Sequence, residues 1–151
     1  MKSLAIFLFA GLSFIACGCR SPVAGHAADS SRIEVQMVVL ARLIANADQD
    51  ASLVRFVDLR PTSLDTLRTM CGTRFVVYGV DAMDESSGVL RMRGTGREGV
   101  HLVADGISIH GRDARASGFY SHVGSFASFA YRLHFDEGRW MIVTCEFVLA
   151  S

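Results

Sequence analysis

From Ala114 onward the chain settles into three runs of alternating side chains: Ala114 to Tyr120, Phe126 to Phe135 and Trp140 to Leu149. A period of two is what a strand shows when one face lies on a core and the other on solvent. Asp136-Glu137-Gly138 between the last two runs is a tight hairpin, with Gly138 where a positive φ is needed. The three runs therefore read as an antiparallel meander. A three-residue loop pairs Phe135 with Arg139 and fixes the register. One face then carries Phe129, Tyr131, Leu133, Met141, Val143, Cys145, Phe147 and Leu149. The other carries Ser128, Ala130, Arg132, His134, Trp140, Ile142, Thr144 and Glu146. The first face is almost wholly apolar and must be covered, most simply by the N-terminal helix. The second is mixed, which suits partial exposure or the wall of a pocket.

The covering helix is legible upstream. Ser31 and Glu34 form a capping box, and Ile33, Met37, Leu40 and Ile44 recur at helical spacing, with Val39 and Leu43 beside them. This helix ends near Asn46. Leu53 to Leu59 reads as a short strand. Pro61-Thr62-Ser63 opens a second helix, with Thr62 or Ser63 as cap, Leu64, Leu67 and Met70 on its buried side, and Gly72 as its stop. Phe75 to Val80 and Val89 to Arg93 follow as strands around a polar turn, Asp84 to Gly88. Val100 to Ala104 and Ile107 to His110 continue the pattern, with the boundary between them open at Gly106. The expected class is α+β: two helices packed on a curved antiparallel sheet that ends in the meander.

The opening residues say where such a domain works. Lys2 precedes an uncharged stretch from Leu4 to Cys19, apolar but for Ser13 and closed by Arg20. As a helix that stretch spans about 24 Å, short of the ~30 Å of a hydrocarbon core. An export signal accounts for it better than a lasting membrane span. Phe14-Ile15-Ala16-Cys17 resembles the bacterial lipobox, and Ala16-Cys17-Gly18-Cys19 is a second frame. The resemblance implies that Cys17 or Cys19, one of the two, carries lipid chains and anchors the protein to a membrane. Each buried methylene contributes about 0.8 kcal/mol, and two or more chains make such anchoring stable. A plain secretory signal cut near Ala27 or Ala28 is the alternative. The residue after either cysteine, Gly18 or Arg20, is not the Asp that commonly retains such proteins in an inner membrane, so the analogy favours an outer membrane with the domain in the periplasm. The resulting division is a leader over residues 1–19, a flexible tether over 20–30 and one α+β domain over 31–151.

The domain also resembles a set of small uncharacterised bacterial proteins. The residues that carry this are Phe56-Val57-Asp58, Pro61 to Leu67, Gly118-Phe119-Tyr120, Ala127 to Tyr131 and Gly138-Arg139-Trp140. The ending, a strand, Asp-Glu-Gly, then Arg-Trp-Met-Ile, is similar to the nuclear-transport-factor-2-like superfamily of cone-shaped α+β folds. That resemblance implies architecture and no activity.

Fifteen basic and fifteen acidic residues leave no net charge, and Lys2 is the only lysine. No field is present to draw in nucleic acid, which argues against that partner. After the leader, Cys71 and Cys145 remain. In an oxidising compartment they either form a disulfide or stay as two small apolar side chains that never meet. A bridge over that span would contribute about 4 kcal/mol in the chain-entropy account.

Chemistry is sparse. His101, His110, His122 and His134 show no H-x-H or H-x-x-x-H spacing, so no metal site is expected. Ser117-Gly118 and Gly124-Ser125 lack the surroundings of a nucleophile elbow. Arg91-Met92-Arg93-Gly94-Thr95-Gly96-Arg97 suits an oxyanion by composition, yet no helix follows the glycines, so it is neither a P-loop nor a dinucleotide fingerprint. Its alternating arginines read more simply as a charged outer face. No cofactor and no catalytic set is expected. Asp58, His110, Tyr120 and His134 could share acid–base work only by analogy with the superfamily. Two readings stand. In the preferred one, a lipid-tethered, non-enzymatic domain binds a protein or small ligand, as an inhibitor or immunity protein does. Arg132, His134 and Trp140 are then the contact patch, or else ordinary cross-strand packing. The other reading is a small pocket enzyme of the cone-shaped type.

Overall fold

A computed structural model describes residues 23–46, 53–86 and 88–150, the side chains of 23–28 and of Ser86 excepted. The leader, Cys17 and Cys19 lie outside the described residues. The chain forms helix α1 (Val23–Asn46), strand β1 (Val54–Val57), helix α2 (Pro61–Cys71) and strand β2 (Val77–Gly79). A single 3-10 turn (Val80–Ala82) leads into β3 (Met83–Ser86) and β4 (Val89–Met92). Four long strands complete it: β5 (Gly99–His110), β6 (Asp113–His122), β7 (Ser125–Asp136) and β8 (Arg139–Ala150). The α+β class stands, with both helices on one six-stranded sheet of order β2-β1-β5-β6-β7-β8.

That sheet is mixed rather than antiparallel throughout. β1 runs parallel to β2, because α2 carries the chain back over the sheet between them, and it is parallel to β5 as well. β1 is covered on both faces and buried at all four positions. Val57 joins the helix-side core, whereas Val54 and Phe56 pack with Leu90 of the small β3–β4 sheet. The sequence paired Phe75–Val80 with Val89–Arg93. Instead, the 3-10 turn inserts β3 as the partner of β4, and β2 joins β1.

The helix boundaries also differ from expectation. α1 begins at Val23, so Ser31 and Glu34 lie inside it and form no capping box. Its buried stripe is Val35, Val39, Leu40, Leu43 and Ile44. Successive members fall four, one, three and one residues apart, a pattern that keeps one helical face on a sheet. α2 starts with Pro61 in its first turn after Arg60 in extended conformation, and no side chain caps it. Proline supplies the fixed φ there and lacks the N–H that a cap would satisfy. Leu64 and Leu67 are buried as expected, Met70 is exposed, and Gly72 ends the helix at φ 69°.

The register of the last hairpin decides the sheet's two faces. Asp136 pairs with Arg139 and Phe135 with Trp140, so the loop is the two residues Glu137 and Gly138, both at positive φ. Two positive φ values in a two-residue loop are the geometry that matches strand twist. The expected Phe135–Arg139 register is therefore off by one, and a one-residue slip exchanges faces. Trp140 and Ile142 turn toward the helices, while Met141 and Val143 turn away. β8 then carries one unpaired extra residue at Val143 and another at Val148, since Leu133 pairs with Ile142 but Arg132 with Thr144. The first bulge restores Cys145 and Phe147 to the face of Tyr131 and Phe129. A third bulge lies in β5 at Gly106 (φ 60°), where the core positions change from Val100, Leu102 and Ala104 to Ile107 and Ile109. α1 closes this helix-side face across β5, β6 and β8.

Candidate functional site

On the far side of the sheet from α1, the registers of β5 to β8 align side chains in transverse rows. The first is His110, Asp113, His134 and Met141; the second is Ser108, Arg115, Arg132 and Thr144. The third is Asp105, Ser117, Ala130 and Glu146. Directly opposed residues on neighbouring strands share a face and lie about 4.5–5.5 Å apart at Cβ. Arg115 and Arg132 are therefore held side by side by the backbone ladder itself.

Neither guanidinium makes an ion pair or hydrogen bond among the described residues. The neighbouring carboxylate of Asp113 is taken by His134, whose Nδ1 lies 2.8 Å from Asp113 Oδ1. A hollow of about 570 Å³ lined by Ser108, His110, Asp113, Arg115, Arg132 and Val143 lies on one side of the pair. A smaller one of about 290 Å³, reaching Ser117, Thr144 and Glu146, lies on the other. Beyond the third row the face turns aromatic, with Phe119 and Phe126 stacked at 5.7 Å between ring centroids.

The expected patch of Arg132, His134 and Trp140 is brought together only in part. Arg132 and His134 lie on the open face, but Trp140 is buried on the other side, its ring 5.3 Å from that of Phe135. Arg115 and Asp113, their cross-strand partners, are not legible in the sequence, because the Asp-Glu-Gly loop registers β7 against β8 and nothing comparable registers β6. The register of β6 against β7 was the missing signal.

The Cys71–Cys145 disulfide is not formed, and both thiols are free. Cys71 ends α2, the helix that packs on β2, and Cys145 sits on β8, at opposite edges of the sheet. Five strand spacings separate those edges, roughly 24 Å, where a bridge needs Cα atoms within about 7 Å. Burial raises the Cys71 thiol above its ordinary value, which lowers its reactivity.

The acid–base grouping of Asp58, His110, Tyr120 and His134 does not converge. His110 and His134 flank Asp113 on the open face, and Tyr120 packs into the helix-side core. Asp58 lies beyond β1 beside a polar hollow of about 370 Å³, with Arg32, Gln36, Arg60 and Ser63. The arginines of 91–97 serve their own turn: Arg91 approaches Glu98 at 3.9 Å, and Arg93 donates to the Met83 carbonyl. Among the described residues, no group of three or more His, Cys, Asp or Glu could hold a metal ion. No helix among them is long and apolar enough to cross a membrane. Comparison with protein-family models, curated proteins and solved structures finds no match to this chain.

Proposed function

We propose that this protein is a lipid-anchored protein of the cell envelope whose α+β domain binds a ligand or partner through the open face of its sheet, without catalysis. The leader supports the address: an apolar run of signal length ends at Cys17 and Cys19, one of which bears the lipid. The observation that carries the binding reading is the Arg115–Arg132 row, two cations held together with no acid paired to them. Monomeric folds seldom align like charges directly opposite one another, because the contact is destabilising. Arginine is also over-represented where partners are gripped. An inhibitor or immunity protein, acting on a toxin enzyme in the envelope, fits this arrangement of a covered face and an exposed polar one.

Two measurements test the reading. The mature N-terminus of the wild-type chain, read by mass spectrometry, is expected to be an acylated Cys17 or Cys19. An unmodified chain starting near Ala28, or a full-length chain in the cytosolic fraction, overturns the anchor. For the face, a photo-cross-linking residue at Ala130 is expected to capture a partner in intact cells, while the same residue at exposed Arg42 on α1 does not. Equal capture at both positions, or none at Ala130, overturns the choice of face.

A further inference from the structure

The Arg115–Arg132 row gives the proposed binding face a chemical class, and the inference rests on that reading of the face. The carboxylates nearest the pair are engaged elsewhere or stop short. Asp113 takes His134, and Asp105 accepts the Gly106 N–H at 2.6 Å, inside the β5 bulge. Glu146, diagonal to Arg132 across the β7–β8 ladder, makes no ion pair with it. The row ends in hydroxyls on both sides, Ser108 and Thr144, and the two hollows of about 570 and 290 Å³ meet at the arginines. A planar guanidinium offers paired N–H donors that match the oxygens of a carboxylate or phosphate.

We infer that Arg115 and Arg132 jointly bind a doubly charged oxyanion: a phosphate group or a pair of carboxylates on one ligand. A single carboxylate neutralises one of two adjacent positive charges and leaves the other repelled. A dianion neutralises both, and the flanking hydroxyl of Ser108 donates to the oxygens that remain. Glu146 repels an anion from the smaller hollow, while Asp113, the carboxylate beside the larger one, is hydrogen-bonded to His134.

The test titrates the full-length chain with inorganic phosphate, succinate and acetate at matched ionic strength, followed by calorimetry and by arginine side-chain NMR. Saturable binding of phosphate or succinate is expected, with acetate weaker by about tenfold or more, as expected when one charge-assisted contact is lost. Whichever of phosphate and succinate binds tighter identifies the source of the dianion. Arg115→Gln and Arg132→Gln are each expected to weaken that binding by about tenfold, and Glu146→Gln to tighten it. Both arginines are exposed, so these variants keep the core intact, and unchanged thermal melts verify it. The inference is overturned by the absence of saturation with either dianion, by arginine variants that bind like the wild type, or by acetate binding as tightly as the dianions. Cross-links at Ala130 without dianion binding sink the ligand class and leave the face standing. Loss of both sinks the face as well.

Discussion

The ring of Tyr131 lies across Gly118 so closely that a Cβ on the glycine would stand 2.6 Å from the ring's Cε2 and 3.1 Å from Leu43 Cδ1. Three elements, β6, β7 and α1, meet at this point, and only a residue without a side chain leaves room for them. Gly118→Ala is expected to lose about 1–3 kcal/mol through overpacking, read as a lower urea midpoint. An unchanged midpoint would mean that the core yields at this contact.

The hairpin register makes a second, opposed pair of predictions. Trp140 is 6% exposed and Met141 39%. Trp140→Ala is expected to cost about 3–5 kcal/mol, whereas Met141→Ala stays within about 0.5 kcal/mol. Denaturant unfolding of the two variants measures both. The reverse order would reinstate Phe135 opposite Arg139.

His101 sets an acid limit on stability. Burial lowers its pKa below the ordinary 6.5, against the pull of Asp58 and Glu85 toward the charged form, and its Nε2 is buried without a hydrogen-bond partner. The folded state then binds this proton less readily than the unfolded state does. Its stabilising contribution is whole above the ordinary histidine value and is lost as the pH falls through the depressed one. Melting temperature is expected to drop on acidification through that range, and His101→Asn to flatten the drop. A wild-type profile that His101→Asn leaves unchanged would refute it.

The two domain thiols are expected to differ in rate. Cys145 is exposed, while Cys71 is half-buried with a raised pKa. A thiol reagent should label Cys145 first in the native protein and both after unfolding without reductant. If neither of the two is labelled after unfolding without reductant, a bridge exists after all.

Long, strongly periodic segments declared themselves in the sequence. Val39, Leu40, Leu43 and Ile44 of the α1 stripe, the start of α2 at Pro61, its stop at Gly72 and the three long final strands follow from spacing and from two special residues, whereas Ile33 and Met37 are only partly buried and Val35 lies in the core instead. Registers did not. A loop of two residues and one of three both accommodate Asp-Glu-Gly, and the difference moves Trp140 from a surface patch into the core. The bulges at Gly106, Val143 and Val148 are equally silent, because an extra residue in a strand leaves the composition untouched while exchanging the faces beyond it. The candidate site suffered most from this, since Arg115 and Arg132 are ordinary surface residues until β6 is laid beside β7.

The free edge of the sheet carries an apolar strand, with Val143, Phe147, Val148 and Leu149 all more than half exposed. Such a border invites another chain to add itself as a further strand. The unpaired valines at 143 and 148 cut that border into lengths too short to zip: between them lie only Thr144 to Phe147. Fibril growth from this side would first have to iron out both kinks. Ironing out the one at Val143 would roll Cys145 and Phe147 off their neighbours, so the molecule cannot become sticky there without first coming apart.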